Sequence, residues 1–163
     1  MFFAVTSGRM LGFIVSTEWI RVDPFKFEAI IQLPPSSSIH QLQSLQGKEN
    51  FLSRFIVNYT EITKGFMHFL KKGVPFLWND FTQRYFDALK KALTYAPLLS
   101  PPDYGRDFHL YLVAAESTII MVLVQEDDAL SEHVIYYLSR GLLGPKLRYS
   151  PIEKLALAVV HVV

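Results

Sequence analysis

The sequence predicts an α+β fold, and three observations carry that prediction. Between residues 107 and 139 apolar residues gather in three short runs of strand length, separated by polar tips. Between 39 and 93 they recur at three- and four-residue spacing, the period of helices that bury one face. Helix starts are marked at Asp23-Pro24, at Asn79 or Asp80, and at Ser150-Pro151, where a capping side chain precedes the first turn.

In order, Phe2 to Val5 and Met10 to Val15 read as two strands joined by the turn Thr6-Ser7-Gly8-Arg9, with Gly8 supplying permissive backbone angles. Trp19 to Val22 extends this region. Asp23 caps a helix with Pro24 at its first position, and the helix stops before Pro34-Pro35. "PPSSS" is a linker, and Ser38 caps the next segment. There Ile39, Leu42, Leu45 and, after Gly47, Phe51, Leu52, Phe55 and Ile56 fall at helical spacing. A second series, Ile62, Phe66, Phe69 and Leu70, ends in Lys71-Lys72-Gly73, a basic last turn with a glycine stop. "VPFLWND" is extended and leads into a helix whose buried positions are expected at Phe81, Tyr85, Phe86, Leu89 and Leu93, with Pro97 beyond its end.

From Pro97 an irregular connector leads to strands near 107–114, 118–125 and 133–139. The last segment, "YSPIEKLALAVVHVV", has Ser150 as cap and Glu153 in its first turn, and stays apolar to Val163 with no stop signal. Three antiparallel strands and one helix are thus expected to be the opening half of a larger domain. Its first strand pair, "HLYLVAAESTIIMVLVQEDD", invites a test. Pairs of this kind often carry a metal-binding carboxylate on the first arm, yet Leu110 to Ala114 contains no acid.

Composition narrows the function classes. Half of the 163 residues are hydrophobic, including thirteen Phe and eight Tyr, which argues for a packed core over most of the chain. With no cysteine there are no disulfides, thiolate metal sites or cysteine nucleophiles. No apolar run reaches the length of a membrane span, and Arg9 splits the apolar start without a basic segment before it. An intracellular protein is expected, its compartment otherwise unknown. Charge is uneven: residues 39–95 hold eight Lys or Arg against four acids, residues 96–163 five against eight. A basic middle fits phosphate contact, although such charges also simply solvate a surface. His40, His68, His109, His133 and His161 show no ligand-like spacing with acids, so no zinc site is expected. Neither a phosphate-cradling glycine loop nor a serine elbow occurs.

Seven stretches, in order, then become informative: "LGFIVSTEWIRVDPFKFEAI", "LQSLQGKENFLSRFIVNYTEI", "FLKKGVPFLWNDFTQRYFDALKKAL", "APLLSPPDYGRDFHLYL", "VLVQ", "HVIYYLSRGL" and "RYSPIEKLALAVV". Together they resemble the pol polyprotein of gypsy-type LTR retrotransposons, especially plant elements, over essentially the whole chain. The resemblance implies three parts: residues 1–35, the end of a reverse transcriptase palm; 36–96, a helical thumb; and 97–163, the first half of a ribonuclease H-like or connection domain. It further implies that Met10, Leu11, Gly12 and Phe13 correspond to the primer grip, a hairpin that positions the primer end. Gly12 would allow close backbone approach. A plain palm hairpin needs the same residues. Gln43, Gln46, Lys48, Asn50 and Arg54 are implied as sugar or phosphate contacts of the thumb, of the kind that position a duplex without reading its sequence. Trp78 stands where the family has an aromatic core residue.

The resemblance also marks what is missing. The family's paired polymerase aspartates are expected upstream of Met1, and Asp127-Asp128 is not that motif. Aligned on Phe108, Leu110 and Gln125, Val113 occupies the position of the first ribonuclease H aspartate. Aligned on Tyr149-Ser150, Leu155 occupies that of the helix glutamate. Glu116 and Glu153 are displaced from these positions, and further acids are expected beyond Val163. Mg²⁺ requires oxygen ligands, so the parent's metal has no place here and no catalytic residue or cofactor is expected in this chain. The expected role is a reverse transcriptase segment that holds and tracks primer-template beside the remainder of the polyprotein, without membrane or small-molecule partners, and inactive alone. The alternative is a non-enzymatic interaction module or inert remnant.

Overall fold

A computed structural model describes residues 6–162, apart from the side chains of residues 49–51 and 162. The first sheet is antiparallel, in the order β1 (Ser7–Met10), β2 (Phe13–Ser16) and β3 (Ile20–Val22). Its turn is not where Gly8 suggested. Met10 pairs with Phe13, so Leu11 and Gly12 form a two-residue loop with φ of 50° and 90°. Positive φ at both positions is what a tight hairpin needs to match the strand twist. Gly8 lies inside β1 opposite Val15. The expected strand at Phe2 to Val5 lies outside the described residues.

Asp23 caps α1 (Pro24–Ile31) as expected, accepting from the Phe25 N–H at 3.1 Å. α2 (Ile39–Glu49) passes into a 3-10 segment, Asn50–Phe55, in place of one continuous helix. α3 (Tyr59–Met67) ends in a 3-10 turn, His68–Leu70, before Gly73 at positive φ. α4 (Asp80–Thr94) is capped by Asn79, which accepts from the Thr82 N–H at 2.9 Å. One core gathers Ile30, Leu42, Leu45, Leu52, Ile56, Tyr59, Phe66, Phe69, Phe86, Leu89 and Leu93. Trp78 packs on it, edge-on to Phe86, and its Nε1–H donates to Gln83 at 2.8 Å. Phe81 was expected in this core, yet it is 56% exposed and stacks on Tyr85. The inward stripe runs Thr82, Phe86, Leu89, Leu93, and Phe81 sits one helical step off it.

α3 and α4 touch closely at Gly65, where a Cβ would lie 2.1 Å from Cδ2 of Tyr85 and 2.8 Å from its Cβ. Only hydrogen fits there.

The second sheet has the order β4 (His109–Ala114), β5 (Thr118–Glu126) and β6 (Glu132–Gly141), all antiparallel. A register shift between Leu123 and Val124 leaves Ile135 as the extra residue on β6. α5 (Pro151–Val162) covers one face, where Ile119, Met121, Leu142 and Ala158 form a smaller core with Leu110, Leu112, Leu138 and Leu157. Its start is a capping box: Glu153 accepts from the Ser150 N–H at 2.7 Å and the Ser150 hydroxyl faces the Glu153 N–H at 3.4 Å.

Two hydrogen-bonded seams join the halves among the described residues. Ile20 and Leu99 exchange backbone hydrogen bonds at 2.6 and 2.9 Å. At the start of α3, the Thr60 N–H donates to the Ser139 hydroxyl at 2.9 Å and the Thr60 hydroxyl to the Ser139 carbonyl at 3.0 Å. Glu61 accepts from the Ser117 hydroxyl at 2.7 Å and from Thr118. Among the described residues no helix is long and apolar enough to cross a membrane.

Candidate nucleic-acid interface

The hairpin tip projects into solvent: Met10 is 64% and Leu11 83% exposed. Apolar side chains so placed gain little from the chain's own packing. The tip is nevertheless held. The Gly12 carbonyl accepts from the Asp23 N–H at 2.9 Å, which ties it to the cap of α1, and Arg9 pairs with Asp23 at 3.8 Å. Phe13, at the base of the loop, stacks on Phe55 of the 3-10 segment with ring centroids 5.6 Å apart.

Arg54 is the hub of this region. Its guanidinium lies 5.3 Å from the Phe13 ring and 5.9 Å from the Tyr136 ring, so it touches the hairpin and the second sheet together. Two aromatic faces hold it by cation–π attraction while its outer edge stays exposed. A guanidinium positioned this way keeps donors free for a phosphate without having to be ordered at binding.

The other thumb candidates separate. On α2, Leu42 and Leu45 point inward and Gln43 and Gln46 lie together on one exposed flank. Lys48 stands roughly 200° round from Gln46 at about 100° per residue. It faces clefts lined by Gln41, Ser44 and Phe86 on one side and by Lys26 and Ala29 on the other. The structure therefore does not bring Lys48 onto the flank of Gln43 and Gln46. Asn50 is among the residues whose side chains are not described.

On β4, Val113 is 54% exposed and faces away from Leu110 and Leu112, which pack into the small core. Leu155 is half-buried on α5, beside Lys154, whose ammonium is buried and donates to the Glu116 carbonyl at 2.7 Å. The acids Glu153, Asp127 and Asp128 hold structure. Glu153 belongs to the capping box, and the Ser150 backbone N–H followed by the Ser150 hydroxyl lowers its pKa. Asp127 accepts from His133 and from the Ser131 and Ala129 N–H groups, and these bonds, His133 first, hold its carboxyl down to about 2. Asp128 pairs with Arg106 at 2.8 Å.

One grouping escaped the linear spacing. His109, Glu126 and Glu132, from three neighbouring strands, have ligand atoms within 4.8 Å of one another. Only the strand register could have revealed it.

Residues 78–163 match the family described as the RNase H-like domain found in reverse transcriptase. The chain is 31% identical, over 97% of its length, to the retrovirus-related Pol polyprotein from transposon opus of Drosophila melanogaster, and covers 17% of that protein. It is 28% identical, over 94% of its length, to the corresponding polyprotein from transposon gypsy of the same species, covering 16% of it. The chain thus spans about a sixth of the length of these relatives. In fold it is similar to the foamy viral protease-reverse transcriptase solved with dsDNA: TM-score 0.83, 22% identity, 97% of this chain and 33% of that one. The same viral protein solved with an RNA/DNA hybrid gives a TM-score of 0.82 at 22% identity, over 96% of this chain and 21% of that one.

Proposed function

This chain belongs to the retrovirus-related Pol polyprotein family and carries its RNase H-like reverse transcriptase domain, and from that premise we propose that it grips and tracks a primer-template duplex without cutting or extending it. The observation that carries the reading is the junction of hairpin and thumb. Phe13 and Phe55 clamp an exposed loop beside Arg54, so an apolar tip and a charged donor share one surface. Such a surface meets sugar and phosphate, which position a duplex, and not base edges, which specify sequence. The partner class is that of the foamy viral complexes, dsDNA and RNA/DNA hybrid. On this reading residues 1–35 are the end of the palm, 36–96 the thumb and 97–163 the connection-like domain. Met10, Leu11, Gly12 and Phe13 form the grip, and Gln43, Gln46, Asn50 and Arg54 contact the backbone. Lys48 contributes from the opposite flank.

Reverse transcriptase and ribonuclease H chemistry depends on divalent metal held by carboxylates, which stabilises both the attacking and leaving oxygens. Val113 and Leu155, at the aligned acid positions, offer only hydrocarbon, so these residues do not fit the parent's Mg²⁺. No step of phosphoryl chemistry is assigned to this chain. Incubation of the purified protein with an end-labelled RNA–DNA hybrid and Mg²⁺ tests this: the hybrid is retarded on a native gel and stays full length. Metal-dependent shortening of the RNA strand would refute the non-cleaving role. Oligomerisation with no retardation would favour an interaction module instead.

A further inference from the structure

We propose that the outer face of the second sheet holds a zinc-class divalent ion on His109, Glu126 and Glu132, a site separate from the acid positions at Val113 and Leu155. The register builds it. Residues paired across strands share a face. His109 pairs with Val124, Glu126 follows Val124 by two residues, and Glu126 pairs directly with Glu132. One imidazole and two carboxylates therefore rise side by side from three neighbouring strands, opposite the face that α5 covers.

Two carboxylates directly opposite on adjacent strands repel each other, and a cation between them removes that cost. The guanidinium of Arg106 does not fill the role, because it donates to the Glu126 backbone carbonyl at 3.3 Å and is committed to Asp128 at 2.8 Å and Asp103 at 3.2 Å. His109 Nδ1 already lies 3.6 Å from a Glu126 oxygen, and the side chains are partly open to solvent, which gives an ion a way in. The ligand atoms, all within 4.8 Å of one another, need close only about 1 Å to surround an ion at the usual 2.0–2.2 Å bond length.

The donor set chooses the ion. Imidazole nitrogen with two carboxylate oxygens suits Zn²⁺ or Co²⁺ over Mg²⁺ or Ca²⁺, which take oxygen alone. Three protein ligands leave at least one position for water. Tyr111, two residues along β4 on the same face as His109, donates its hydroxyl to Glu132 and so orients that carboxylate from outside the coordination sphere.

Titration of the full chain with Co²⁺, followed by visible absorbance, tests the proposal. We expect a saturable 1:1 spectrum that Zn²⁺ displaces and millimolar Mg²⁺ does not. His109→Ala and Glu126→Gln each abolish it, Tyr111→Phe weakens it about tenfold, and His133→Ala, which removes the neighbouring His133–Asp127 pair, leaves it intact. Circular dichroism confirms that each variant is folded. No saturable spectrum in the wild type, or one that survives His109→Ala, or one lost with His133→Ala, would overturn the site.

Discussion

Glu61 accepts hydrogen bonds from Thr118 and Ser117 and pairs with Lys64 at 3.4 Å, so its charge is anchored where the helical half meets the second sheet. Those two hydroxyls, Thr118 first, lower its pKa below the ordinary glutamate value. A carboxylate depressed in the folded state contributes stability above its unfolded pKa, and that contribution is lost as pH falls through the folded one. Glu61→Gln should therefore lower the thermal midpoint at neutral pH and make little difference in strong acid. A penalty of equal size at both pH values would show that Glu61 acts through shape alone. Little of this was legible in the sequence, because Glu61 and its two hydroxyl partners lie more than fifty residues apart and only the docking of α3 joins them. Local pairs were legible: the caps at Asp23, Asn79 and Ser150 depend on neighbours within three residues.

Gly65 decides how closely two helices approach. Tyr85 carbons stand only 2.1–2.8 Å from the place a Cβ would take, so Gly65→Ala forces α3 and α4 apart, in spite of alanine's better helix propensity. The expected loss is about 1–3 kcal/mol in denaturant unfolding. A stabilised Gly65→Ala protein would contradict that packing. At the hairpin, Gly12 has φ of 90°, so Gly12→Val should strain the tip by about 1 kcal/mol or more and weaken duplex binding while leaving the helical core intact. The types of α1, α4, α5 and the strands of the second sheet were legible, since periodicity and caps are properties of short windows. Their ends were less so. The hairpin turn fell at Leu11-Gly12 because register, not the mere presence of a glycine, chooses between Gly8 and Gly12. Phe81 was misplaced for a related reason. The helix start sets apolar Phe81 beside polar Thr82, and the partner surface selects the stripe through Thr82 and Phe86.

At the scale of the molecule, two cores of unequal size are joined by the Ile20–Leu99 bridge and the α3 seam. A shared core takes in both α1 and the helices after it, since Ile30 packs with Leu42, Phe86 and Leu93. This arrangement lets the hairpin, Arg54 and the second sheet act as one surface. The sequence placed the candidates along the chain; the split between Gln43 with Gln46 and Lys48 emerged only once α2 had a buried face. Its register on Leu42 and Leu45 then assigns every neighbour a direction. Among the proposed contacts, Arg54, from the 3-10 segment, carries the charge that touches both the hairpin and the second sheet.

The most direct test is the salt dependence of RNA–DNA hybrid binding, measured by fluorescence anisotropy for the wild type and for Arg54→Ala. Weak, salt-sensitive binding is expected, with the substitution lowering both the affinity and, by roughly one, the slope of log K against log salt. Binding that is absent at low salt, or identical in affinity and slope after Arg54→Ala, would contradict it.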